Sequence, residues 1–318
     1  MELISVIVPV YDEQDIVGDL LKSIREVMEA ESLQYELILV DDGSKDDTFK
    51  IIKEEAERDG RIVGVRFRRN CGQTTAIKAG FDVARGDICI TMDGDLQHDP
   101  SAIPEFLAKV REGYDLVCSY RQHRNDAFLR RFPSRIANGI ARKVSGVAVK
   151  DFGSTYRAYR TAVVKDMPIY GEMHRFIPVF VNMVTDRICE IPIQLQPRPH
   201  GVSKYGLGRT FRVFSDLLVL LFFSKFFSRP IHIFGYIALL QGIPGLAILA
   251  YLALGKLFGG IQIMAYGPLF VLGVLLCLVG AQFFTTGIVC EYLIRVYFDN
   301  ERRSPYSIAE TTGGNDAP

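Results

Sequence analysis

Two aspartates one residue apart, Asp93 and Asp95 in Thr91-Met-Asp-Gly-Asp-Leu-Gln97, follow an apolar run and are spaced so that both carboxylates can share a metal ion. Hard cations such as Mg2+ take oxygen ligands, keep waters, and are usually held by one or two carboxylates together with substrate phosphate oxygens. The pair therefore suits a nucleotide diphosphate better than a structural cation, although acidic turns are frequent and the tripeptide alone is a weak signal. A second pair, Asp41-Asp42, ends another apolar run and leads into Gly43-Ser44, where the glycine permits a tight turn. Carboxylates at such an edge can accept from a base imide or from ribose hydroxyls, whereas Asp46, Asp47 and Thr48 read as helix caps. None of the five histidines sits in a motif with a nucleophile, and His174 and His200 read as structural or surface residues.

Bringing these groups to one edge requires several strands side by side. Residues 3–10 are a β-rich run, followed by Ile16, Leu20, Leu21, Ile24 and Met28 at helical spacing. Strands over 35–42, 62–67 and 87–92 alternate with helices over 47–58 and 74–84. Apolar strands alternating with helices imply an α/β fold with a mostly parallel sheet covered on both faces. Ligands of such sheets bind beyond the carboxyl ends of the strands, where Tyr11, Asp41, Asp42, Asp93 and Asp95 fall. A helix over 104–111, a strand over 115–120 and a helix over 134–145 are expected next. Prolines at 168, 178, 192, 197 and 199 then break 166–205 into short elements over the same face.

The 318 residues carry 37 basic and 37 acidic side chains, so no general basic field is available for a nucleic acid. Six cysteines without CxxC or CxxH spacing suggest neither zinc nor a disulfide framework, and the start has no secretory signal. Residues 209–230 mix aromatic side chains with Arg209, Arg212, Lys225 and Arg229 and suit juxtamembrane amphipathic helices in the headgroup region. Residues 231–254 and 266–290 are each long enough, at about 1.5 Å per residue, to cross a hydrocarbon core of roughly 30 Å. Cations flank the pair while the connecting loop carries only Lys256, which places both termini in the cytosol. Pro244 should kink the first span. Gly273, Gly280 and Gly287 share one face of the second span; they are either a packing face, hinting at a dimer or tetramer, or ordinary membrane-helix composition. The segment 121–131 interleaves Phe128 and Leu129 with Arg124, Arg130 and Arg131, and is either a solvated charge run or a guide for an anionic lipid headgroup. The expected division is 1–208 catalytic domain, 209–230 juxtamembrane helices, 231–294 two spans and 295–318 cytosolic tail, of which 310–318 reads as disordered.

Val8-Pro9-Val10-Tyr11 with Glu13, Asp41-Asp42-Gly43-Ser44, Lys78-Ala79-Gly80, Asp93-Gly94-Asp95-Leu96-Gln97 and Asp151-Phe-Gly-Ser-Thr-Tyr-Arg157 together resemble the inverting glycosyltransferases of the GT-A fold, which is Rossmann-like. Within them the sequence is similar to the polyprenyl-phosphate glycosyltransferases, relatives of dolichyl-phosphate mannose synthase, of the bacterial type with two C-terminal membrane helices. The resemblance covers nearly the whole chain, with the motifs in the family's order. It implies that Pro9, Tyr11, Glu13, Asp41 and Asp42 hold base and ribose, and that Asp93, Asp95 and Gln97 form the metal and diphosphate motif. It also implies that Arg121 and Arg135 neutralise phosphates, that Asp151 and Ser154 lie close to the transferred sugar, and that Arg198, Ser203 and Lys204, with Tyr205, close over the diphosphate. Lys78 belongs either to the site or to an ordinary helix. The Gln-x-x-Arg-Trp motif of processive polysaccharide synthases is ruled out, since the chain has no tryptophan.

The implied reaction moves a sugar with inversion from a nucleotide diphosphate sugar to polyprenyl phosphate, undecaprenyl or dolichyl, with Mg2+ or Mn2+. UDP-glucose or a related UDP-hexose is favoured over GDP-mannose, and the expected enzyme is an integral membrane homo-oligomer. A lipid phosphate monoester, with a second pKa near 6, is largely dianionic at neutral pH and needs no general base. Such a reaction asks for a divalent metal and arginines rather than a histidine, and the catalytic groups the resemblance implies are Asp95, Asp151 and Arg121. A non-catalytic membrane scaffold and a sugar-lipid flippase are the competing readings.

Overall fold

The computed structural model describes residues 2–122, 146–147, 149–165, 167, 169, 173–196, 230–260, 262–299 and 306–313. The expected helix over 134–145, the juxtamembrane stretch 209–229 and the site positions Arg135, Arg198, Ser203 and Lys204 lie outside them. The chain divides into two compact units, one of residues 1–220 with 304–318 and one of residues 221–303.

In the first unit β1 (Leu3–Val10), β2 (Gln34–Asp41), β3 (Ile62–Phe67) and β4 (Ile88–Thr91) alternate with α1 (Val17–Ala30), α2 (Thr48–Arg58) and α3 (Gln73–Val83). After α4 (Ile103–Arg111) come β5 (Leu116–Arg121), β6 (Arg157–Arg160), the single turn α5 (Thr161–Val164), α6 (Ile177–Asn182) and β7 (Ile188–Ile193). The sheet order is β7-β5-β6-β4-β1-β2-β3-β8, where β8 is Ile308–Thr312. The central β4-β1-β2-β3 block is parallel, as is β5 with β7, while β6 runs antiparallel between β4 and β5.

The alternation in β1 explains its place at the centre. Ile4, Val6, Val8 and Val10 turn to one face and pack with Val17, Leu20, Leu21, Ile24 and Met28 of α1, all buried in one cluster. Burying each such side chain contributes about 1.5–3 kcal/mol. On the opposite face Ile7 meets α3 across Gly80, where an added Cβ would lie 2.2 Å from Ile7 Cγ2. The glycine thus sets how close α3 approaches the sheet, which in turn sets the height of the loops above it.

The last strand corrects the expectation of disorder at 310–312, because Ile308–Thr312 pairs antiparallel with β3, while 314–318 lie outside the described residues. The strand is short, with apolar Ile308 and Ala309 followed by polar Glu310, Thr311 and Thr312, so its partner strand, and not an alternating pattern of its own, makes it a strand. β8 thus follows both membrane-type helices in the chain yet lies in the sheet that precedes them.

In the second unit α7 (Pro230–Gly259) and α8 (Gly267–Asp299) pack antiparallel. Their apolar windows are only 11% buried, leaving side chains such as Leu239, Leu246 and Phe258 exposed. Backbone groups are satisfied within each helix and apolar side chains face outward, the arrangement a bilayer requires. Added Cβ atoms at Gly273, Gly280 and Gly287 would press on Ile248, Ala238 and Phe234 of α7, at 3.0, 2.9 and 2.7 Å. The glycine face is therefore used within the hairpin.

Candidate active site

The acidic loop after β4 is built by its neighbours. Gly94 sits against the end of β1, where an added Cβ would lie 2.9 Å from Val10 Cγ1 and 3.0 Å from the Pro9 carbonyl oxygen. Leu96 takes a positive φ of 57°, which turns the chain back. The Asp93 N–H donates to Nδ1 of buried His98 at 3.1 Å, and the His98 ring stacks on Tyr156 with centroids 5.0 Å apart. Because Nδ1 is the acceptor there, its 3.9 Å approach to Asp93 Oδ2 is not an ion pair. Asp93 Oδ1 accepts from Gln73 Nε2 at 2.7 Å and from Thr155 Oγ1 at 2.6 Å, and Asp95 Oδ1 accepts from the Gln97 N–H at 3.1 Å. Among the described residues no three His, Cys, Asp or Glu side chains cluster as a metal cage. The loop thus offers two carboxylates to a hard cation, and the remaining oxygens must come from water or ligand, a fit for a diphosphate-bound divalent ion.

The 151–156 loop continues this site. Arg121, the last residue of β5, donates from Nε to Asp151 Oδ2 at 2.8 Å and from Nη2 to Oδ1 at 3.4 Å. The Gly153 N–H also donates to Asp151 Oδ1, and the Ser154 and Ser119 hydroxyls meet at 2.6 Å. Thr155, two residues from Gly153, reaches Asp93, so the Asp93 loop and the Arg121–Asp151 pair form one continuous surface. Beneath it the fully buried Arg157 donates to the carbonyls of His174 and Phe152 at 2.8 and 2.9 Å.

Beside this surface, over the carboxyl ends of β1, β2 and β3, lies a cavity of about 680 Å3 whose lining includes Tyr11, Ser44, Lys45, Arg66, Arg68 and Arg69. Asp41 and Asp42 do not line it. Asp41 is fully buried, accepts from the N–H and hydroxyl of Ser44, and lies 3.4 Å from Arg66 Nε. Asp42 accepts from the N–H groups of Cys71 and Gly72 at 2.6 and 2.9 Å. Burial raises both carboxyl pKa values, opposed by these hydrogen bonds. The two side chains organise the 43–44 and 71–72 turns that shape the cavity, while Asp41 Oδ2 keeps no hydrogen-bond partner among the described residues. Of the two readings of Lys78 the contacts favour the ordinary helix, since its ammonium donates to Asp82 at 2.6 Å and to the Lys165 carbonyl at 2.7 Å. Asp46 caps α2 through the Thr48 N–H, whereas Asp47 makes no side-chain cap. Glu13 is half-buried and its backbone N–H donates to Thr48 Oγ1, while its carbonyl begins the turn into α1.

Residues 5–167 match glycosyl transferase family 2. The chain belongs to this family. It is 40% identical over 96% of its length to the dodecaprenyl-phosphate galacturonate synthase of Rhizobium johnstonii, covering 92% of that protein. It is 39% identical over 99% of its length to the undecaprenyl-phosphate 4-deoxy-4-formamido-L-arabinose transferase of Edwardsiella ictaluri, covering 96% of it. The fold is similar to glucosyl-3-phosphoglycerate synthase from Mycobacterium tuberculosis, with a TM-score of 0.54 at 24% identity over 69% of this chain and 80% of that one.

In this glycosyltransferase the structure brings together Asp93, Asp95, Gln97, Arg121, Asp151 and Ser154, and sets Tyr11 in the adjoining cavity. Sequence reasoning missed Gln73, His98 and Thr155 around the acidic loop, and Lys45, Arg66, Arg68 and Arg69 in the cavity. Thr155 stood inside the quoted Asp151–Arg157 motif, and the Arg68-Arg69-Asn70 run directly follows β3; position after a strand was the available signal. His174 is structural: buried, with Nδ1 2.8 Å from Thr74 Oγ1, its pKa pushed down to about 3 by burial and then by Arg175 and Arg157. A neutral, enclosed imidazole of this kind cannot serve as a base toward a ligand at the surface.

Proposed function

We propose that this glycosyltransferase moves a sugar from a nucleotide diphosphate sugar to polyprenyl phosphate with inversion, at the cytosolic face of a membrane. The observation that carries the reading is the single surface formed by the Asp93-Gly-Asp95 loop, Thr155 and the Arg121–Asp151 pair, next to a cavity lined by cations. The names of the two relatives support the acceptor, since each is a transferase or synthase for a sugar on a polyprenyl phosphate. UDP-glucose or a related UDP-hexose is the proposed donor. Lys256 as the loop's sole cation, against Arg295, Arg302 and Arg303 after the second span, supports the cytosolic side.

In this reading a phosphate oxygen of the lipid attacks the anomeric carbon as the bond from that carbon to the donor diphosphate breaks, and the nucleoside diphosphate departs. The attacking group is already largely dianionic near neutral pH, so no proton has to be removed. Asp93 and Asp95, with the Gln97 amide, would hold Mg2+ or Mn2+, which when bound supplies charge stabilisation to the leaving diphosphate. Gln73 and Thr155 fix the Asp93 carboxylate, so the donor phosphates meet a preset position. Arg121 offsets the repulsion between lipid phosphate and diphosphate, while Asp151 holds the guanidinium in place and stands close to the sugar.

Purified protein would be incubated with polyprenyl phosphate, Mg2+ or Mn2+, and labelled UDP- and GDP-sugars. The panel includes UDP-glucose, UDP-galacturonate and UDP-4-deoxy-4-formamido-L-arabinose, scored by label entering the organic phase. Metal-dependent transfer from one UDP-sugar is expected, lost in Asp95→Asn without loss of the fold. No transfer from any donor, with nucleotide binding intact, would move the chain to a binding scaffold.

A further inference from the structure

The cavity beside Tyr11 is closed on one side by β8, the strand that follows the second membrane-type helix, and Ala309 and Glu310 belong to its lining. The strand is held by more than its ladder. Gly64, Val65 and Arg66 pair with Thr312, Thr311 and Glu310, and the Arg68 N–H donates to the Ser307 carbonyl at 3.1 Å. Tyr306 stacks on Phe67 with centroids 5.1 Å apart and donates from its hydroxyl to Asp82 Oδ2 at 2.9 Å. Gly64 leaves room for the strand, since an added Cβ would lie 2.7 Å from Thr312 Cγ2.

Glu310 is the sole carboxylate among the described residues that line this cavity, alongside Lys45, Arg66, Arg68 and Arg69. A nucleoside diphosphate offers acceptors at its phosphates, and donors only at base N–H groups and ribose hydroxyls. The cations match the first and the carboxylate matches the second. Asp42 accepts from the N–H groups of Cys71 and Gly72, and Asp41 Oδ1 from Ser44; neither residue lines the cavity, whereas Glu310 does. Lys53 donates to Glu310 Oε1 at 2.6 Å, but both side chains are nearly half exposed, so the pair orients the carboxylate at little energetic cost.

Resting on the nucleotide-sugar reading above, we infer that β8 is a wall of the donor site and that Glu310 accepts a hydrogen bond from the base or ribose of the bound nucleotide. The segment after the last membrane helix then completes a site otherwise built from the first 70 residues.

Calorimetric titration of detergent-purified full-length protein with UDP, GDP and inorganic pyrophosphate tests this. Glu310→Ala is expected to weaken nucleotide binding about tenfold, the scale of one hydrogen bond to a charged group, and Glu310→Gln by less. Pyrophosphate binding should be unchanged or tighter, because removing a carboxylate only favours an anion. Deleting residues 304–318 should weaken UDP at least as much, and in transfer assays the loss should fall on donor KM more than on kcat. Unchanged or tighter nucleotide binding by Glu310→Ala would overturn the inference, since half-exposed Glu310 can be replaced without endangering the fold. Failure of the unaltered protein to bind either nucleotide would instead sink the donor reading itself.

Discussion

Replacing Asp42 separates two accounts of a strand-end carboxylate. If its side chain organises the 71–72 turn, Asp42→Ala strips acceptors from two N–H groups at the entry to α3, those of Cys71 and Gly72. Hydrogen bonds to a charged group contribute about 1.5–3 kcal/mol each, and relief of the buried carboxylate's desolvation returns part of that. Asp42 is 5% exposed, so little water can replace the lost partner. A net loss of about 2–4 kcal/mol is expected, which for a domain of this size lowers the melting temperature by roughly 4–16 °C. Asp42→Asn keeps one acceptor oxygen but turns an amide N–H toward a backbone N–H, and should fall between wild type and alanine. The assay is thermal unfolding of detergent-extracted protein with and without UDP. A melting temperature within about 1 °C of wild type, coupled with a tenfold loss of UDP affinity, would refute the organising role and restore the ligand contact expected from sequence.

Acid should find His174. Its pKa is about 6.5 unfolded and about 3 in the fold, so below pH 6.5 the unfolded chain takes up a proton that the native state refuses. The stability present above pH 6.5 is thus lost as pH falls towards 3, about 2 kcal/mol by pH 5; His174→Gln should flatten that part of a denaturation profile, and an unaltered profile would contradict the assignment. Asp151→Asn should lower kcat at least 100-fold, as loss of a preset electrostatic group does, while UDP affinity changes little; full turnover would remove the pair from the chemistry. Thr155→Val should raise the metal concentration for half-maximal rate severalfold by loosening Asp93, and an unchanged metal titration would deny the coupling. Gly80→Ala should destabilise by about 1–3 kcal/mol through overpacking on Ile7, with partial rescue by Ile7→Ala.

Much of the fold was legible because its signals are local. The parallel strands are apolar runs bounded by turn residues, and α1 carries its apolar side chains at helical spacing; both patterns state which face is buried without reference to any partner. The two membrane-type helices are legible for the same reason, since length and apolarity are properties of a single segment. Asp93 and Asp95 were placed at a strand end by counting and Arg121 and Asp151 by resemblance to the family, and the structure links the Asp93 loop to the Arg121–Asp151 pair through Thr155.

What depended on distant partners was not legible. In sequence Asp41 and Asp42 look alike as strand-end carboxylates, and only the approach of the 71–72 turn and of Ser44 decides which of their oxygens are engaged by protein. Lys78 is drawn off by Asp82 and a carbonyl at Lys165, and the glycine face of the second span is filled by the first span. Residues 308–312 have too few apolar positions to declare a strand, yet the open edge of β3 and the bare Cα of Gly64 give them backbone partners and room. Local patterning thus determined where strands, helices and the acidic motifs lie, because burial periodicity is written residue by residue. Tertiary structure decided which carboxylates remain available to a ligand, because a hydrogen-bonding side chain is claimed by whichever donor the fold brings nearest.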